Sequence, residues 1–375
     1  MWWVCDSDNG YILPCTKRVC CERPSSKTSK MTTPSIFSLS LILSLALVAC
    51  GGGGGGGDSA QAVVPAFVPP PVTVAIPAAT YANGSAELAG YTLLQQARVQ
   101  CGFGALRQDT RLDDAALKHA RYLISISFAS STSVLSHYED ITTDPYYTGY
   151  FPWDRTQATG YGTQVAEILT ATVWDYDTRN LPVFPTLAQR GTESMRSLLN
   201  TVYHLSGAMY EGRDVGFGVH LQTVSTGPTT RREEYRFGSL NGYQTSRITL
   251  GAGKVVTYPC QDSSNVPPVF VPANEIPNPF PAMTSTSQTV GPPIYLKVDD
   301  GQLLRLTSNS VSLNGVSVPT AVLTTANDPH REIGANEVFV IPTTSLLPNR
   351  TYQVALAGTV NNLPFSRNFT MSTGQ

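Results

Sequence analysis

The chain has 375 residues, of which only 14% are charged, with 31 glycines, 27 prolines and a formal net charge of −2. No Lys/Arg run follows residue 31, so the basic footprint of a nucleic-acid binder is missing and nucleic acid is excluded as a partner. The length allows two domains of ordinary size, and a charge-poor, Gly/Pro-rich composition favours extracytoplasmic β-rich modules over a helical cytosolic enzyme.

Residues 1–30 carry Cys5, Cys15, Cys20 and Cys21 and read as an extended or non-native N-terminus ahead of Met31. Residues 31–50 read as a lipoprotein signal peptide. The apolar run Ile36–Ala49 is too short for a hydrocarbon core that needs about 20 residues, but it fits a secretory h-region. It ends in Leu47-Val48-Ala49-Cys50, which looks like a bacterial lipobox with Cys50 as the lipidated residue. Residues 51–81 form a Gly/Pro-rich tether, seven glycines and then an uncharged proline-rich spacer. With five of the seven cysteines in or before the anchor, Cys101 and Cys260 can form only one intramolecular disulfide in an oxidising compartment.

A domain over 82–261 opens with a helix over Glu87–Cys101, stopped by Gly102. A second helix starts near Leu112, with His119 on its apolar stripe. Short helices are expected at Gln164–Thr170 and Leu187–Asn200. The period then changes to two: Val215, Phe217, Val219 and Leu221 face one way, and Gly216, Gly218 and His220 the other. Tyr235–Leu240 and Lys254–Tyr258 read as further strands. Residues 262–291 are a proline-rich linker. Residues 292–375 show six or seven alternating runs divided by Asp299-Asp300-Gly301, Asn314-Gly315, Pro348-Asn349 and Asn361-Asn362, the signature of an all-β sandwich.

The chemistry-bearing residues lie between Ser136 and Gly218. His137, Glu167 and His204 are spread over about 70 residues, too wide for a one-helix metal motif, so only the fold can bring them together. Two imidazoles and a carboxylate are the ligand set of an open zinc site, in which metal lowers the pKa of bound water to about 7. Without metal, the carboxylate could orient an imidazole as general base. No serine nucleophile motif is present. His119 reads as a hydrogen-bonded core histidine, His220 as packing and His330 as solvated.

The run Leu93-Leu94-Gln95-Gln96-Ala97-Arg98, Cys101-Gly102-Phe103-Gly104, Ala115-Ala116, His119, Ser136-His137, Asp154-Arg155, Gly160-Tyr161, Glu167, and His204 with Gly216-Phe217-Gly218 resembles bacterial members of the CAP superfamily, the cysteine-rich secretory, antigen 5 and pathogenesis-related 1 proteins. The resemblance implies an α+β fold, an α-β-α sandwich, with His137, Glu167 and His204 lining one cleft. The tail, with Leu347-Pro348-Asn349-Arg350-Thr351-Tyr352, resembles immunoglobulin-like surface modules carrying a corner tyrosine. The chain departs from the family where Ala166-Glu167-Ile168 replaces Gly-Glu-Asn and where no acid precedes His204. Glu193 stands eleven residues too early, which leaves Glu139 as the candidate second acid.

The expected function is that of a lipid-anchored cell-envelope protein whose cleft binds a ligand or partner, outer-membrane sorted because Gly51 rather than Asp follows the lipobox. The alternatives are a metal-dependent, peptidase-like hydrolase using the same residues with zinc, and a carrier of hydrophobic, sterol-like ligands.

Overall fold

The computed structural model describes residues 77–375, which fall in one contact unit. The extended N-terminus, the signal peptide with Cys50 and most of the tether lie outside the described residues.

Helix α1 (Ala86–Cys101) is capped by the Ser85 hydroxyl, which accepts from the Leu88 amide, and ends at Gly102 with φ of 82°. That left-handed turn is one glycine adopts without Cβ strain. Strand β1 (Arg107–Gln108) leads to α2 (Thr110–Ser130), capped by Asp109. Then follow α3 (Pro152–Ala158), β2 (Val165–Asp177), α4 (Leu187–Leu199), α5 (Tyr203–Ala208), β3 (Asp214–Ser225) and β4 (Thr230–Gly242). These strands form one sheet in the order β1-β3-β4-β2, antiparallel except for β1 on β3. Arg98, fully buried on α1, donates to the carbonyls of Phe103, Gly104, Ala208 and Tyr210 and so ties α1 to the end of α5.

The glycine face of β3 takes α2 at very close range. A Cβ on Gly216 would stand 2.2 Å from the Leu112 carbonyl carbon, and one on Gly218 2.1 Å from that of Ala116. Phe217, between them, packs in the core cluster that includes Tyr91 and Leu94 of α1. Gly218→Ala is therefore expected to push α2 off the sheet and cost about 1–3 kcal/mol or more. A lowered midpoint in chemical denaturation checks this.

Nine strands follow: β5 (Val256–Tyr258), β6 (Ser263–Val266), β7 (Ile294–Lys297), β8 (Leu304–Leu313), β9 (Val316–Val318), β10 (Thr320–Leu323), β11 (Glu337–Pro342), β12 (Thr351–Val360) and β13 (Leu363–Thr373). They build a four-stranded sheet, β10-β11-β7-β5, and a five-stranded sheet, β6-β13-β12-β8-β9. Ile294, Leu296, Val338 and Val340 of the first share one core with Val311, Val354, Leu356 and Met371 of the second. The β8–β9 hairpin turns through Asn314 and Gly315, both at positive φ, as its tight geometry demands. The Tyr352 hydroxyl accepts from the Leu347 amide, a corner-tyrosine contact.

Several expectations need correction. The α+β reading, an α-β-α sandwich with an immunoglobulin-like sandwich behind it, is not supported: among the described residues strand outweighs helix, 32% to 22%, in three sheets with five α-helices, so the architecture is mostly β. One contributor is the segment Gln164–Thr170, expected as a helix, which lies almost wholly in the 13-residue strand β2, paired with β4 along its whole length. A second is the expected strand Lys254–Tyr258, which joins β7 rather than the first sheet. The expected linker 262–291 is not bare either: it contains β6, which pairs with β13, and a 3-10 turn at Pro272–Asn274. One apolar cluster runs from α1 to Tyr295 and Phe339 without a break, and Phe103 stacks on Tyr295 at 6.1 Å.

Candidate functional site

The site is assembled around one buried guanidinium, three histidines and three buried carboxylates. α2 presents His119, whose Nδ1 lies 3.0 Å from Glu139 Oε1 and whose Nε2 lies 2.9 Å from the Ser136 carbonyl. Both ring nitrogens are occupied, as a core histidine requires. Glu139 also accepts from the amides of Thr148 and Gly149 and so pins the loop that carries His137. α3 presents Arg155, wholly buried. Its Nη2 donates to Glu167 Oε2 at 2.7 Å and its Nη1 to the His137 carbonyl at 3.1 Å, while its Nε stands 3.7 Å from Glu139 Oε1.

From β2, Glu167 projects into this network, and its second oxygen takes His137 Nδ1 at 2.9 Å. Burial alone would raise the Glu167 carboxyl, but Arg155, His119 and His137 outweigh it and hold the group far below its ordinary value. His137 is pushed the other way from a typical ion-paired imidazole. Its desolvation exceeds the pull of Glu167, so its pKa lies below the ordinary value of 6.5 and the ring is neutral at neutral pH.

His204 stands in the first turn of α5, and its ring centroid is 6.3 Å from that of His137, the planes tilted by 31°. Its Nδ1 lies 3.2 Å from Glu275 Oε1. Glu275, 1% exposed, also accepts from the backbone amides of Val202, Tyr203 and His204. The two imidazoles are thus mirror cases. Each turns Nδ1 to a buried carboxylate, and on neither ring does Nε2 hydrogen-bond to a described residue. A carboxylate can only accept, so each ring is set as the Nδ1–H tautomer when neutral, with Nε2 an acceptor.

His137, Glu167 and His204 therefore stand together, Glu167 on the His137 ring and the two rings side by side. Glu139 lies in the same network but serves His119 and Arg155 and makes no contact with His204. Glu193 is 67% exposed and pairs with Arg196. The acid at His204 is Glu275, which the sequence reading missed. It is the only acidic residue between Asp262 and Asp299 and stands in a stretch otherwise read as spacer, the one signal that could have marked it. Glu167 is fully engaged by Arg155 and His137, so it orients an imidazole rather than offering an oxygen to a metal. Among the described residues, no group of three or more His, Cys, Asp or Glu side chains is placed to hold a metal ion. No described helix is long and apolar enough to cross a membrane.

No protein-family model matches this sequence, and no curated protein matches it.

Proposed function

We propose that this chain is an extracytoplasmic binding module with a His/Glu/His site, tethered to the cell envelope through lipid on Cys50 and sorted to the outer membrane. The observation that carries the reading is the pair of adjacent imidazoles, each locked by a buried carboxylate so that Nε2 accepts. Such a cleft suits a ligand rich in hydroxyl or amide N–H donors. A soluble N-acetylglucosamine oligomer is a fitting probe, since it carries both donor types. Titrated into protein with labelled histidines, it is expected to shift the His137 and His204 ring signals together, and His137→Ala or His204→Ala to weaken binding at least tenfold, about 1.4 kcal/mol. Unperturbed rings, or full affinity in both variants, would discard the reading for this ligand class.

The metal-dependent hydrolase remains the second reading, favoured by one observation. An imidazole whose Nδ1–H is held by a carboxylate is the usual outer support of a zinc-ligating histidine. In that case His137 and His204 would ligate through Nε2, with Glu167 and Glu275 behind them, and zinc would supply an activated water. Stoichiometric zinc retained by wild type and lost in both alanine variants would favour it over the first reading.

The sterol-like carrier fits less well. The groove between α1, α4 and the β5–β6 connection, about 520 Å³, mixes Leu88, Leu93 and Val266 with Gln96, Gln100 and Arg196 and takes in neither His137 nor His204, so it lends the carrier no support from the histidine pair.

A further inference from the structure

The two neighbouring imidazoles come from two different halves of the chain. His137 is held by Glu167, Arg155 and Glu139, all from the first half. His204 sits in α5, six residues long and without a side-chain cap of its own. A helix that short is unstable in isolation, because its few hydrogen bonds do not offset the cost of nucleation. Its first amides must find acceptors elsewhere.

They find them beyond residue 262. Glu275 takes the amides of Val202, Tyr203 and His204 and the His204 ring. The Tyr203 hydroxyl donates to Asp328 Oδ1 at 2.6 Å, and the Ser206 hydroxyl to Glu337 Oε1 at 2.8 Å. Just past the helix, Glu211 pairs with Lys297 at 3.1 Å, and the same ammonium lies 3.3 Å from Glu337. All four C-terminal partners are buried. The segment that carries Glu275 is itself tied down, since His330 Nε2 lies 2.8 Å from the Asn278 carbonyl. A buried carboxylate without its donors costs several kcal/mol, so these contacts fix α5 in one place.

We infer that Glu275, Asp328 and Glu337 are the positioning residues of His204, which makes the C-terminal sheets a structural half of the cleft rather than a module appended to it. The inference deepens the binding reading and rests on it for its functional meaning, but its test needs no ligand. The readout is the ring-nitrogen spectrum of the histidines in the full chain, with His137 as internal control. In Glu275→Ala, His204 is expected to lose the Nδ1–H tautomer, and in Glu275→Gln to keep it through the amide oxygen. Tyr203→Phe and Ser206→Ala, which remove single hydroxyls and leave Glu275 in place, are expected to shift the His204 ring signals and leave those of His137 where they are. If Glu275→Ala does not fold, the two hydroxyl variants carry the test alone. His204 signals unmoved in both, or His137 moving as far as His204, would overturn the assignment. Neither result depends on whether an oligosaccharide or zinc binds.

Discussion

Glu167→Ala is expected to cost about 3–5 kcal/mol of folding stability, more than an ordinary core truncation, because it strands a charge. Arg155 is wholly buried, and its Nε already has no hydrogen-bond partner among the described residues. Without Glu167, its Nη2 loses a 2.7 Å partner, and Glu139 faces Nε, at 3.7 Å, rather than Nη2. Glu167→Gln keeps an acceptor oxygen but loses the charge, so it is expected to fall between wild type and alanine. Replacing both partners, Arg155→Met with Glu167→Leu, is expected to recover much of the loss, since two apolar groups leave no orphaned charge. Denaturant unfolding of the four proteins decides the matter. If the double variant is no more stable than Glu167→Ala, the stranded guanidinium is not the cause.

The same network fixes the acid side of the stability profile. Both His137 and Glu167 have folded pKa values below their ordinary ones. Such a group contributes stability that is present above its unfolded pKa and is lost as pH falls toward the folded one. The first loss is expected to begin as pH falls through about 6.5, where unfolded histidine gains its proton, and a second, larger one below about 4.5, where unfolded glutamate does. His137→Ala is expected to remove the first step and leave the second.

What could be read from the residues follows the range of the forces involved. The α1 stop at Gly102, the glycine face of β3 and the Asn314-Gly315 hairpin are local matters of backbone freedom and period, and each was legible. β2 was not. Val165, Ile168 and Leu169 stand at helix spacing, and the strand has Val165, Ala166, Ile168 and Leu169 buried in succession, so both faces are covered and the period-two alternation disappears. The partners of β5 and β6 are set by strands 40 to 110 positions away, about which three or four residues carry no information. Glu275 escaped for the same reason. A lone acid among prolines gives no hint of the helix terminus it will meet some seventy residues upstream, and the spacing of His137, Glu167 and His204 alone does not say that they meet.

Removal of the Cys101–Cys260 disulfide is expected to lower stability by about 3–5 kcal/mol. The bridge joins the last residue of α1 to the turn between β5 and β6, Cα atoms 5.4 Å apart and 159 positions apart in sequence. It therefore closes a loop over the whole first sheet, and in the chain-entropy model a loop of that length stabilises by up to about 5 kcal/mol, chiefly by restricting the unfolded chain. In the folded state the bridge adds little that is not already held: Ser263 Oγ accepts from the Cys260 amide at 2.9 Å, and beside the bridge Gln100 Nε2 donates to the Gln261 carbonyl at 3.2 Å. Cys101→Ser with Cys260→Ser is thus expected to leave the native near-ultraviolet spectrum almost unchanged while the denaturation midpoint falls. The slope of unfolding free energy on denaturant is expected to rise, because the released chain exposes more surface. A reducing agent added to wild type is expected to reproduce both changes once the protein is partly unfolded, since Cys101 is only 7% exposed in the native state. A midpoint that drops with an altered native spectrum and an unchanged slope would locate the effect in the folded protein instead.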